Sequence, residues 1–283
     1  MAQGPTIFDR QLLRARRARA ARLGPATFLV DRVAEDLAER LSAVLRKFEL
    51  AADLGTPTGA VRRALAGKVG ALVDVAADEE ALPFREASLD LVVSALALQF
   101  VNDLPGALVQ IRRALKPDGL FLAALVGGAS LTELRQTFAA AEAEVEGGVS
   151  PRVAPFADLR DLGALLQRAG FALPVTDVDR LTVRYATPLA LMHDLRRMGA
   201  TNALLERHRV PLKRATLRRM MEIYAERFAG ADGRVPATFE IVWLSGWAPH
   251  PSQQQPLAPG SAKTRLADAL GANEISAGEK AER

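Results

Sequence analysis

The 283-residue sequence contains no cysteine, which removes disulfides, thiolate metal sites and a cysteine nucleophile together. Histidine is nearly as scarce. His193, His208 and His250 lie far apart, and none pairs at the four-residue spacing with which two imidazoles share a metal on a helix; no metal site is expected. Long apolar runs are missing too: no window approaches the roughly 18 uninterrupted apolar residues of a membrane span. The first residues are charged where a secretory signal carries its apolar segment. These absences predict a soluble protein without a transmembrane segment, cytoplasmic in a bacterium. Acidic residues are absent from positions 10–22, which hold six arginines (10, 14, 16, 17, 19 and 22). With no aromatic in that run to stack on bases, it reads as a solvated basic helix, and no nucleic-acid partner is expected. The net charge of +4 is modest.

Apolar residues make up 49% of the chain, enough for a sizeable core. Phe28, Leu29, Val33, Leu37, Leu41, Val44 and Leu45 recur at helical spacing, so residues 27–47 form an amphipathic helix. A strand over Phe48–Ala52 leads into Asp53-Leu54-Gly55-Thr56-Pro57-Thr58-Gly59 and a short helix over 60–66. Strand, glycine loop and helix in that order are what a nucleotide-binding loop requires. Further strands follow over 70–76, 89–96 and 120–126, with a helix over 104–115 stopped by Lys116-Pro117-Asp118-Gly119. Near-continuous apolar strands alternating with helices predict an α/β, doubly wound, mostly parallel sheet. After Gly128 the pattern gives helices over 131–146 and 157–169, then a strand over 175–185. Helices over 188–198 and 214–228 come next, and a last strand over 238–246. Residues 187–232 are thus a helical insertion before the last strand. The chain divides into a basic helical segment (1–47), the α/β domain (48–249) and a flexible tail (250–283), rich in Pro, Gln, Ser and Gly, with a short turn at 266–270.

Four stretches carry a resemblance: Asp53-x-Gly55; Ala77-Asp78-Glu79-Glu80-Ala81-Leu82-Pro83-Phe84; Leu89-Asp90-Leu91-Val92-Val93-Ser94; and Leu115-Lys116-Pro117-Asp118-Gly119. Together they resemble the successive motifs of class I S-adenosylmethionine-dependent methyltransferases, with a Rossmann-like fold. More narrowly, Phe8-Asp9-Arg10, Val101-Asn102-Asp103-Leu104-Pro105, Met198-Gly199-Ala200-Thr201-Asn202 and Ser245-Gly246-Trp247 resemble bacterial relatives of the mitochondrial assembly factor that hydroxylates an arginine on a respiratory complex I subunit. The group is also similar to the biotin-synthesis methyltransferase acting on malonyl carrier protein. The resemblance implies S-adenosylmethionine as cofactor and a protein or carrier-bound substrate. A silent or arginine-hydroxylating assembly factor for complex I stands as the alternative. It also implies the mitochondrial matrix if the source is eukaryotic.

Binding this cofactor needs close backbone approach, hence glycine, and the resemblance assigns Asp53, Gly55, Thr56 and Gly59 to it. The alternative is that the two glycines only turn the chain from strand to helix. Pro57 replaces the middle glycine of the family's acid-x-Gly-x-Gly-x-Gly pattern, fixing φ and removing an N–H, so the cofactor is expected to bind weakly or to have been lost. Only 18 residues separate Gly59 from Asp78, where a helix, a strand, a second helix and another strand need on the order of 40. One strand-helix unit is missing, and the strand over 70–76 is expected to move in beside the first. Asp78 and Glu79 then become the acids for ribose or adenine, with Asp74 as rival and a solvated charged loop as the alternative. Gln99 and Asn102, after the third strand, are the polar candidates for orienting substrate. His193 and Tyr185 stand near or in the insertion as lid candidates or ordinary residues. Methyl transfer asks mainly for alignment, so no catalytic residue is assigned.

Overall fold

Asp9 starts the first helix, its carboxylate accepting from the Leu12 N–H at 2.9 Å, an N-cap that satisfies a donor the helix itself leaves free. α1 (Arg10–Arg22) buries only Leu13 and Ala20. α2 (Phe28–Ser42) buries seven apolar side chains along a broad stripe, among them Val33, Leu37 and Leu41, and this stripe sets it on the sheet. The computed structural model describes residues 6–75, 78–254, 261, 264 and 266–272. They fall into two compact units, 1–249 and 250–283.

The first unit continues with β1 (Leu50–Leu54), α3 (Ala60–Ala64), β2 (Ala71–Val75), β3 (Leu89–Ala95), a 3-10 turn at Leu98–Phe100, α4 (Leu104–Ala114) and β4 (Leu115–Val126). Then come α5 (Thr132–Glu146), α6 (Leu159–Arg168), β5 (Ala172–Tyr185), α7 (Pro188–Arg197), α8 (Arg214–Phe228) and β6 (Val235–Trp247). The second unit holds α9 (Leu266–Leu270), where the sequence predicts a short turn; most of its other residues lie outside the described ones.

The six strands lie in the order β2-β1-β3-β4-β6-β5. β1 pairs in parallel with β2 and β3, and β3 with β4, while β6 is antiparallel to both β4 and β5. Five strands therefore run one way and β6 alone runs against them. One apolar cluster, with α2, α5, α7 and α8, covers one face, and a second, with α4 and α6, covers the other. This is the mixed α/β, Rossmann-like arrangement that the alternation of strands and helices predicts.

Three details differ from the sequence reading or sharpen it. β1 sits two residues later than predicted, so Asp53 and Leu54 are inside the strand. The strand predicted over 70–76 does move in beside β1, pairing Leu50 with Ala71 and Asp53 with Asp74; Ala76 and Ala77 lie outside the described residues. Lys116-Pro117-Asp118-Gly119 ends the helix as predicted, but the turn belongs to β4. Leu89 faces Leu115 while Leu91 faces Leu120, so the intervening residues bulge out of the ladder. A bulge tolerates a proline without an N–H and a positive φ, here +62° at Asp118.

Candidate functional site

The sheet order places β2 on one side of β1 and β3 on the other, so the crevice beyond the carboxyl ends of β1 and β3 is a topological switch point. The 55–59 loop leaves β1 there. Gly55 adopts φ +66°, a conformation that favours glycine, and its N–H donates to the Val75 carbonyl at 3.2 Å. The Thr56 hydroxyl donates to Asp53 Oδ1 at 2.5 Å and accepts from the Ala95 N–H at 2.9 Å, latching the loop to the end of β3. Gly59, by contrast, has an ordinary φ of −90°. A Cβ there would touch only the Arg63 guanidinium at 3.5 Å, so nothing in the fold requires glycine at this position. The positive φ of that part of the loop belongs to Thr58, at +70°.

Asp53 is 4% exposed, and burial pushes its carboxyl up to about 7, against the Thr56 hydrogen bond that favours ionisation. Glu79 is equally buried and lies directly against Gly55: a Cβ on that glycine would collide with its carboxylate. Arg10 of α1 pairs with Glu79 and also with Asp78, at 3.0 Å, and Arg17 approaches Glu79 at 3.6 Å. Of the two predicted acids, Glu79 packs on the loop, and Asp78, half-exposed, is joined to it through their shared Arg10. The arginines holding them come from a helix that the sequence reading leaves in solvent. The available signal was the 10, 13, 17, 20 spacing, which puts Arg10 and Arg17 on the face that buries Leu13 and Ala20. Asp74 is instead on the sheet edge, paired with Arg62.

Beside this loop opens a cavity of about 390 Å³, walled by Pro57, Thr58, Leu96 and Gln99 from the ends of β1 and β3, by Val126 and Phe239, and by α1, α2 and the end of α7. Most of its lining is aliphatic or aromatic, the usual character of a small-molecule site. Gln99 donates to the Leu96 carbonyl at 2.9 Å, while its own side-chain carbonyl is buried with no partner among the described residues. Buried acceptors normally find a donor, which makes this oxygen an exception beside the cavity that Gln99 lines. The residues at this end of the sheet fit a cationic, hydroxyl-bearing molecule: a buried carboxyl at Asp53 and two further carboxylates, held by Arg10, gather at the glycine loop, and the loop's Pro57 and Thr58 open onto the apolar chamber.

Asn102 does not orient substrate here. Its Oδ1 accepts from the N–H groups of Ile7 and Phe8 at 2.8 and 2.7 Å, and its Nδ2 donates to the Phe8 carbonyl at 3.2 Å. Its polar atoms are consumed in fastening the segment before α1. Tyr185 is buried in the main core, where burial holds its phenol neutral, and His193 is exposed on α7. Gly199, at φ +72°, packs on the Arg17 backbone with its missing Cβ only 3.1 Å from Cα, which seats the 198–200 turn against α1 at the cavity wall. Among the described residues no cluster of three or more metal-ligating side chains occurs, and no helix is long and apolar enough to cross a membrane.

Comparison with known proteins places these features. Residues 33–123 match a methyltransferase domain model. The chain is 39% identical to arginine-hydroxylase NDUFAF5, mitochondrial, of Danio rerio over 94% of its length and 90% of that protein. It is 42% identical to the Homo sapiens protein of that name, over 90% and 81%. It is also 35% identical to the malonyl-[acyl-carrier protein] O-methyltransferase of Halorhodospira halophila over 86% and 88%. In fold it resembles YcgJ of Bacillus subtilis, with a TM-score of 0.51 at 15% identity over 76% of this chain and 98% of that one.

Proposed function

The chain belongs to the S-adenosylmethionine-dependent methyltransferase family, and from that premise we propose that it holds S-adenosylmethionine against the 53–59 loop and delivers a methyl group to a protein or carrier-bound acceptor. The carrying observation is the apolar cavity at the switch point, walled by Pro57 and Thr58 of the loop and by Gln99, whose side-chain carbonyl is unpartnered. When bound, the cofactor supplies a methyl group on a cationic sulfur, already electrophilic. The chain's own part is to bind and align. Asp53 and the Gly55–Thr56 turn receive the amino acid end, Asp53 accepting hydrogen bonds from the ammonium. Asp78 and Glu79 accept hydrogen bonds from ribose or adenine, for which Arg10 gives up its pairing. Gln99 turns its carbonyl toward positive charge, and the aliphatic walls keep water from the acceptor. Because Arg10 competes for the acids and Pro57 offers no N–H, the affinity is weak.

Calorimetric titration tests this. Asp78→Asn is expected to weaken S-adenosylmethionine binding by an amount equivalent to about 1.5–3 kcal/mol, the scale of a charged hydrogen bond, whereas Asp74→Asn, altering an edge pair with Arg62, leaves it unchanged. Equal losses in both variants would show that Asp78 has no place in the site. A second reading is favoured by the similarity to NDUFAF5 over nearly the whole chain: an assembly factor, silent or arginine-hydroxylating, whose partner is a complex I subunit. Complete absence of cofactor binding in the unaltered chain selects it. Under either reading the protein works in the bacterial cytoplasm, or in the mitochondrial matrix of a eukaryote.

A further inference from the structure

Past Phe100, Phe156 and Leu131, walls it shares with the first cavity, lies a second chamber of about 260 Å³. Its titratable lining is Arg16, Arg152, Arg207 and His208, and no carboxylate lines either chamber. Arg152 and Arg207 have acidic partners outside the lining, Glu142 at 2.6 Å and Asp9 at 3.4 Å. Arg16 donates only to the Asn202 backbone carbonyl and has no carboxylate at ion-pair distance among the described residues. Desolvation, then Arg19 and Arg207, push its pKa down: the charge is held half-buried among like charges. Asp9 offsets this only from beyond ion-pair distance, and a cation so held is costly unless an anion completes it. Apart from Thr201 and Asn202 the remaining wall is apolar, including Leu134, Phe138 and Met192.

We propose that this second chamber seats the oxyanion of an apolar-chain substrate, a carboxylate or phosphate anchored by Arg16 and Arg207, with the chain running past Phe100 into the first chamber. The inference rests on the reading of the first chamber as the methyl-transfer site and names the substrate class. Guanidinium is the cation best suited to oxyanions, which it meets with paired N–H donors. An arginine side chain, by the same logic, is repelled from the second chamber.

The test is calorimetry on the full chain without cofactor, using octanoate, octyl phosphate, octanol and Nα-acetylarginine amide as probes. One of the two anions is expected to bind at least about tenfold more tightly than octanol, the yield of one charge-assisted contact. The stronger of the two identifies the headgroup, and the arginine compound does not bind. Arg16→Gln and Arg207→Gln each lose that advantage, Arg16→Lys keeps part of it, and Arg14→Gln, at an exposed position of the same helix, keeps all of it; melting curves confirm that each variant is folded. Octanol binding as tightly as the anions overturns the proposal, as does tighter binding of the arginine compound, unchanged anion affinity in folded Arg16→Gln and Arg207→Gln, or no anion binding by the unaltered chain. No arm contains S-adenosylmethionine, so these outcomes leave the cofactor titration to stand or fall separately.

Discussion

Asp53 carries both a stability and a binding consequence. A carboxyl whose native pKa is raised from 3.8 to about 7 binds more protons folded than unfolded across that window, so stability falls as pH rises through it and levels off above. Asp53→Asn removes the buried charge while leaving an acceptor for the Thr56 hydroxyl. The variant is therefore expected to gain melting temperature over the unaltered chain at pH 8 and to gain less at pH 5; an offset independent of pH contradicts the assignment. Asn102 makes the opposite case. Its position after β3 suggested substrate, but its partners are Ile7 and Phe8, 95 and 94 residues away, and contacts at that separation leave no local signal. Asn102→Ala should cost about 1–3 kcal/mol, the range for orphaning partly buried donors, and should speed amide hydrogen exchange in α1. Gly59 shows a motif position that matched while the conformational demand sat one residue earlier, at Thr58.

Among the elements, α1 and β2 separate what patterning reveals from what it conceals. The shortfall of residues between Gly59 and Asp78 was enough to place β2 beside β1, because a bare apolar strand edge is unfavourable. Its exposure along one side and the Arg62 cover, from guanidinium to Asp74 and to the Leu72 carbonyl at 3.0 Å, are what an edge strand of a shortened sheet needs. The role of α1 was concealed because an arginine-rich helix looks solvated, and only docking shows which guanidinium groups turn inward. Releasing them is informative: Arg10→Gln is expected to free Asp78 and Glu79, raising S-adenosylmethionine affinity while loosening α1 in hydrogen exchange. An affinity that falls instead would make Arg10 part of the binding surface and not its competitor. For α2, whose periodicity was plain, Leu37→Ala should cost about 2–5 kcal/mol in chemical denaturation, since the side chain is fully buried at the centre of the stripe.

At the scale of the whole molecule, the α/β architecture with its mostly parallel sheet and the helical insertion between β5 and β6 follow from alternating apolar strands and helices, a signal that local sequence carries; the reversal of β6 against β4 and β5 does not, because apolar strand patterning carries no direction. The site was legible only on one side. Asp53, Gly55, Thr56, Glu79 and Gln99 come from strand ends, whose place at the switch point topology dictates. Arg10, Arg17 and Gly199 come from α1 and the segment after α7, and the cationic second chamber adds α5, α7 and residues 152–156 to these, all brought there by long-range packing. The central claim is that this assembly still holds S-adenosylmethionine at the 53–59 loop. The most direct test is calorimetric titration of the cofactor into the unaltered chain and into Pro57→Gly, which restores an N–H and a free φ to the loop. Saturable one-to-one binding by the unaltered chain, tighter in Pro57→Gly, is the predicted result; the absence of binding in both would contradict it.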